Sequence, residues 1–77
     1  MSYRVYEIGS SAGYDGIAIV AADNAEAANG IIKNFKDDDP QNREDSLGFK
    51  FVTEDDLIPE LSSHMPGIIL NRIVYIG

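Results

Sequence analysis

The stretch Gly16–Phe35, with the sequence GIAIVAADNAEAANGIIKNF, decides the fold. Its first part, residues 16–22, is a short continuous apolar run that contains β-branched residues, a pattern typical of a strand buried on both faces. Asp23 and Glu26 follow at the spacing of a capping box, in which each side chain accepts a hydrogen bond from a free backbone amide. The stretch therefore predicts a buried strand that leads directly into a capped helix.

The predicted helix carries one apolar face. Its apolar residues recur at helical spacing, at Ala25, Ala28, Ile32 and Phe35. Lys33 and Lys36 lie in the last predicted turn, where the helix dipole favours cations. Asn29-Gly30 is a dipeptide typical of turns, and Gly inside a helix costs about 1 kcal/mol relative to Ala. An early end of the helix at this dipeptide is the alternative.

Alternation of side chains predicts further strands on both sides of this unit. Residues 2–8 alternate, with Tyr3 and Val5 on one face. The turn-rich segment 9–16, GSSAGYDG, predicts an antiparallel hairpin between this strand and the buried one. GFKFV at 48–52 and IILNRIVYI at 68–76 predict the third and fourth strands.

A second, short helical element is predicted at Thr53. Thr53 has the side chain of a helix cap, and the three acids that follow it suit the positive end of a helix dipole. Pro59 limits this element to about one turn. We interpret residues 61–67 as a loop, with Pro66-Gly67 as a turn.

These patterns predict one small α+β domain over residues 1–77. The predicted architecture has two layers, a four-stranded, mainly antiparallel sheet in the order β-β-α-β-β and one main helix on one face. A helix covers one face only, and the buried strand and residues 68–76 are apolar on both faces. The second face must be covered by residues 53–66, by residues 37–48 or by a second copy of the chain. An exposed apolar face marks an interaction site, so a homodimer through this sheet face is one hypothesis.

The acidic residues are concentrated in one segment. The chain has a net charge of −7, and residues 37–60 hold nine acids against two bases, which accounts for all of it. The remaining residues are balanced. Such a field repels nucleic acid and anionic lipid and favours basic partners or cations. We therefore expect a protein partner and neither direct nucleic-acid binding nor membrane binding.

Several other classes of site lack their sequence signals. The chain has no cysteine, which excludes disulfides and thiolate metal ligands. No apolar segment approaches the length of a membrane span, and the first residues do not form a signal peptide, so we expect a cytoplasmic protein. Ser62, Ser63 and the single His64 do not make a catalytic triad, because adjacency in sequence does not supply its geometry. We expect neither catalysis nor a cofactor nor a structural metal.

Two acidic clusters are the candidate contact residues, Asp37-Asp38-Asp39 and the pair Asp55 and Asp56. The first cluster offers oxygen ligands for a hard cation, but the residues after it do not fit a calcium-binding loop, and a solvated run after a helix end is the simpler interpretation. The second cluster also fits the first turn of a helix.

The leading hypothesis is a non-enzymatic interaction or regulatory module that uses the acidic segment and the apolar sheet face. One alternative is an acidic mimic of nucleic acid that inhibits a DNA-binding protein. Its charges are sparse, since duplex DNA carries one charge per about 1.7 Å. A second alternative is weak binding of a divalent cation at the three consecutive aspartates.

Overall fold

The computed structural model describes residues 2–34 and 48–77, and within them it shows an α+β fold. The helix α1 is Ala25–Lys33, and a 3₁₀ turn is formed by Glu54–Asp56. The strands are β1 Tyr3–Gly9, β2 Tyr14–Asp15, β3 Ile17–Ala22, β4 Leu57–Ser63, β5 Gly67–Asn71 and β6 Val74–Tyr75. The predicted fold class is confirmed.

Four of the described strands form one antiparallel sheet, in the order β4-β1-β3-β5. β1 and β3 pair in continuous register from Arg4 opposite Ala22 to Gly9 opposite Ile17. This pair is the hairpin that the alternation and the turn-rich segment predict. The short strands β2 and β6 pair with each other in a separate ribbon.

The core lies between this sheet and α1. Because side chains alternate along a strand, every second residue of β1 and β3 faces the helix. Tyr6 pairs with Val20 on this face, and both side chains are fully buried. From the helix, the predicted stripe supplies the buried side chains Ala25, Ala28 and Ile32. Phe35 and Lys36 lie outside the described residues.

The predicted cap of α1 is wrong by one residue. Asn24, not Asp23, is the N-cap, and its side-chain oxygen accepts from the Ala27 amide at 2.8 Å. Asn24 is in the extended conformation directly before the first helical residue, so its side chain reaches the open amides of the first turn. A capping box does occur, but at the 3₁₀ turn, where Thr53 and Asp56 form it and confirm the cap predicted there.

The helix continues through Gly30, against the alternative of an early end. Apart from the helix's own backbone, a Cβ atom at Gly30 would meet no atom of the described residues within 4 Å. We therefore expect Gly30→Ala to stabilise the protein by about 1 kcal/mol, because Ala loses less backbone entropy in a helix. The midpoint of thermal unfolding should rise by roughly 4–8 °C. A fall in this midpoint would contradict the helical conformation at this position.

The predicted strand at 48–52 is wrong. Phe49 makes a single isolated bridge to Ser10, and residues 50–53 have no regular structure. The alternation of GFKFV does bury Phe49, but Phe51 is 78% exposed. The segment is held by other contacts, which are described below.

The loop predicted at 61–67 is shorter than expected, because β4 extends through residue 63 and β5 begins at Gly67, which leaves residues 64–66 as the connection between them. β4 pairs with β1 at Arg4–Ser62 and Tyr6–Leu57, so residues 58–61 form a bulge opposite the single residue Val5. Pro59 lies in this bulge. Since β4 is an edge strand and a bulge interrupts the ladder, the missing amide of Pro is tolerated there.

The long strand predicted at 68–76 is divided in two. β5 ends at Asn71, whose side-chain oxygen accepts from the Ile73 amide at 3.1 Å. A side chain that binds a nearby amide competes with the strand ladder, so the chain turns here. Ile73 then enters the core, and β6 leaves the main sheet to pair with β2.

Candidate functional site

A hollow opens along β1 at the point where β4 stops pairing with it. The Lys50 amide donates to the Gly9 carbonyl oxygen at 3.0 Å, and Tyr6 pairs with Leu57. Between these two contacts the chain passes through Phe51 and the 3₁₀ turn instead of pairing with β1. The result is a cavity of about 440 Å³, lined by residues 7–9, 50–51 and 55–58. We call it the acidic hollow.

The acidic hollow carries three carboxylates against one ammonium group. Glu7 comes from β1, Asp55 and Asp56 come from the 3₁₀ turn, and Lys50 provides the positive charge. Glu7 and Asp55 are exposed, and Asp56 is half-buried. The Phe51 side chain borders the same space and is 78% exposed. An aromatic ring beside several carboxylates suits a cationic group.

The 3₁₀ turn is fixed to the core by Glu54. One carboxylate oxygen of Glu54 accepts from the Tyr6 hydroxyl at 2.8 Å, and the other accepts from the Ala25 amide at 2.9 Å. The Ala25 amide belongs to the first turn of α1. The amides of this turn have no acceptor within the helix, and this end of the helix favours a negative charge. Glu54 therefore ties the turn to both β1 and the helix N-terminus.

The segment before the turn is fixed by Asn29. The Asn29 side chain donates to the Val52 carbonyl oxygen at 2.8 Å and accepts from the Val52 amide at 2.8 Å. It also donates to the Ala25 carbonyl oxygen at 3.1 Å. The two bonds to Val52 satisfy both of its backbone polar groups, as a neighbouring strand would. This arrangement, the Asn29–Val52 contact, holds residues 50–53 without a strand.

The capping box of the 3₁₀ turn fixes the carboxylate of Asp56 and the backbone of Asp55. The Thr53 amide donates to an Asp56 carboxylate oxygen at 2.9 Å, and the Asp55 amide donates to the Thr53 hydroxyl at 3.3 Å. Asp56 is thus partly engaged by the backbone. Asp55 is exposed and lies beside it at the cavity.

The contacts of Glu54 shift two pKa values in opposite directions. The hydrogen bond from the Ala25 amide, followed by that from Tyr6, lowers the pKa of Glu54 below its ordinary value of 4.5. Burial, followed by the hydrogen bond to Glu54, raises the pKa of Tyr6 above 10.0. Both shifts favour a charged Glu54 that accepts from a neutral Tyr6.

These shifts predict how stability depends on pH. Because the folded protein lowers the pKa of Glu54, its contribution is present above pH 4.5 and is lost as pH falls through the folded value. Glu54→Gln should therefore flatten the acid side of the profile of unfolding midpoint against pH, measured by circular dichroism. Glu60→Gln, which removes an exposed carboxylate from β4, is the control. Equal acid slopes in Glu54→Gln and the parent would contradict the role given to Glu54.

The structure brings together only part of the predicted contact residues. Asp55 and Asp56 both line the acidic hollow. Asp37, Asp38 and Asp39 lie outside the described residues, so their roles stay predictions. Glu7 and Phe51 border the same cavity but were not predicted as contact residues. They meet at one cavity because residues 51–56 run beside β1 without pairing along it, and the sequence contains no local signal for this path.

The sheet face opposite α1 is only partly exposed. Val5 and Ala21 on this face are buried, and Ile19 and Leu70 are half-buried. Ile17 is 40% exposed. The face is therefore partly covered within the described part of the chain, and the homodimer stays a prediction.

Among residues 2–34 and 48–77, no three acidic or histidine side chains come together in a way that could hold a metal ion. In the same part of the chain, no helix is both long and apolar enough to cross a membrane. No protein-family model matches the chain, and no curated protein or solved structure is significantly similar to it.

Proposed function

We propose that the protein is a non-enzymatic interaction module that binds a short basic segment of a partner protein in the acidic hollow. The observation that carries the proposal is the cavity itself, whose lining includes three acidic residues and an exposed aromatic residue. An arginine of the partner fits this chemistry. Its planar guanidinium group binds carboxylates through paired hydrogen bonds and stacks on aromatic rings.

The expected affinity of one such side chain is low. An exposed ion pair contributes about 0.2–1 kcal/mol, and a cation over an aromatic ring at an exposed site contributes about 0.5–1 kcal/mol. Contacts with Asp55, Glu7 and Phe51 therefore amount to roughly 1–3 kcal/mol before the cost of association. A segment with two or more basic residues is needed for useful binding, and its affinity should fall with salt.

Replacement of Lys50 is expected to affect peptide binding in the opposite direction to replacement of an acidic residue. Lys50 also lines the acidic hollow, and its positive charge opposes the entry of a cation. Lys50→Gln should therefore strengthen the binding of a basic peptide, whereas Asp55→Asn should weaken it. A variant that binds more tightly cannot be explained by damage to the fold.

The test uses a capped peptide that contains two arginines separated by one glycine, titrated against the protein by isothermal calorimetry at low salt. We expect Asp55→Asn to weaken binding about fivefold, which corresponds to about 1 kcal/mol. Lys50→Gln should tighten binding by a similar factor. Asp23→Asn removes an equal charge just before α1, at a residue that does not line the acidic hollow, and is the matched control.

Equal losses in Asp55→Asn and Asp23→Asn would contradict the proposal. They would mean that net charge, rather than the acidic hollow, attracts the peptide. That result would favour the alternative of an acidic mimic of nucleic acid, whose binding depends on a distributed field and falls steeply with salt.

A further inference from the structure

The side-chain amide of Asn29 is chemically reactive because of the residue that follows it. It is the only asparagine in the sequence that is followed by glycine. In an Asn-Gly pair the backbone nitrogen of the glycine can reach the side-chain carbonyl carbon of the asparagine easily, because glycine has no side chain to hinder the approach and its backbone is conformationally free. This pair is therefore the most reactive kind of site for spontaneous loss of the asparagine amide.

The structure restrains this reaction while the protein is folded. The Asn29 amide group makes three hydrogen bonds, two to Val52 and one to Ala25. Gly30 is helical, so its amide is directed along the helix axis towards a carbonyl one turn earlier and not towards the Asn29 side chain. Gly30 itself is exposed, and no atom of residues 2–34 and 48–77 crowds the position of its missing side chain.

We propose that Asn29 is a site of spontaneous deamidation whose rate is set by opening of the Asn29–Val52 contact and of the helix around it. In the reaction, the deprotonated Gly30 backbone nitrogen attacks the Asn29 side-chain carbonyl carbon. A carbon–nitrogen bond forms, the side-chain amine leaves as ammonia, and a five-membered imide ring remains. Water then opens the ring at either carbonyl and gives aspartate or isoaspartate. No oxidant, reductant or metal takes part.

The product cannot restore the contact. A carboxylate at position 29 still accepts from the Val52 amide, but it has no hydrogen to donate to the Val52 carbonyl oxygen and meets it as a second acceptor. Isoaspartate also inserts an extra methylene into the backbone inside α1. Each opening of the helix therefore exposes Asn29 to an irreversible loss of the Asn29–Val52 contact. The deamidated fraction at position 29 increases with the total time that the protein has spent open.

The test follows the full chain at mildly alkaline pH, folded in buffer and unfolded in urea at the same pH, by peptide mass mapping of the segment that contains Asn29. We expect deamidation in urea to be about a hundredfold faster or more, because only the opened fraction reacts in buffer. Gly30→Ala should slow the reaction in urea, because its methyl group hinders the attacking nitrogen. Asn29→Asp supplies one product directly and should unfold at a lower temperature than the parent.

Equal rates in buffer and in urea would overturn the proposal, because the fold would then give no protection. Absence of deamidation at Asn29 in urea would overturn it as well, since the chemistry itself would be missing. An Asn29→Asp variant as stable as the parent would contradict the claim that the reaction removes a structural contact. Because these outcomes are independent of peptide binding, they leave the proposed function untouched.

Discussion

Gly16→Ala is expected to destabilise the protein by about 3 kcal/mol or more. Gly16 has φ +107, a conformation that L side chains rarely adopt, and an added Cβ would overlap the carbonyl oxygen of Arg72. The neighbouring Arg72 amide donates to the Ile17 carbonyl oxygen at 2.9 Å, so the two segments cannot separate without losing this bond. A domain of this size has a total stability of roughly 4–12 kcal/mol, so the expected loss is a large part of it.

Gly67→Ala is the matched control for this prediction. Gly67 has φ +123, also unfavourable for alanine, but an added Cβ would meet no atom within 4 Å in the part of the chain that the structure describes. Its cost is therefore backbone strain alone, about 1–3 kcal/mol. Thermal unfolding of the two variants separates strain from overlap. Similar falls in the unfolding midpoint would contradict the close packing of Arg72 against Gly16.

Asn29→Ala is expected to have the second large effect, a loss of about 3 kcal/mol. The substitution leaves the amide and the carbonyl of Val52 without their partner, and each desolvated group costs about 1–3 kcal/mol. Val52 is 1% exposed, so water cannot readily replace the lost bonds. The higher helix propensity of alanine returns about 0.5 kcal/mol.

Hydrogen exchange of the Val52 amide gives the most specific readout for this variant. In the parent protein this amide donates to Asn29 and should exchange slowly, and in Asn29→Ala it should exchange much faster. Asn34→Ala is the control, because the bond of the Asn34 side chain within the described residues goes to the Gly30 carbonyl oxygen at the exposed end of α1. It should change stability by no more than about 0.5 kcal/mol. Unchanged exchange at Val52 in Asn29→Ala would contradict the contact.

The parts of the fold that follow from local pattern were predictable. Alternation in residues 2–8 correctly predicts strand β1, and the apolar run of residues 16–22 is the central strand β3. The helical stripe likewise gives the buried face of α1. In each of these elements the spacing of the apolar residues matches the side chains that pack between the sheet and α1.

The C-terminal half was predicted less well because tertiary contacts override local pattern there. Pro59 is compatible with β4 only because β4 is an edge strand with a bulge. Asn71 ends β5 by binding the Ile73 amide, which no alternation of apolar residues reveals. GFKFV alternates as a strand would, but Asn29 takes the backbone groups of Val52 that a strand partner would otherwise bind.

Two of the acidic residues that line the acidic hollow were predictable from the sequence, but the cavity was not. The sequence indicates Asp55 and Asp56 as exposed acids in the first turn of a short helix, and both line the cavity. The cavity itself depends on contacts between residues far apart in sequence, such as Tyr6 with Glu54 and Asn29 with Val52. Asn29-Gly30 looks in the sequence like a weak point of the helix, and in the structure Asn29 holds the segment that borders the acidic hollow.

The most direct test of the central claim is to map where a basic peptide binds. Backbone amide shifts of the ¹⁵N-labelled protein would be followed by nuclear magnetic resonance during titration with the capped two-arginine peptide. We expect the largest shifts in residues 7–9, 50–51 and 55–58, which line the acidic hollow. Shifts that centre on Asp23 and Glu26 at the start of α1, or that are spread evenly over all acidic residues, would contradict binding in the acidic hollow.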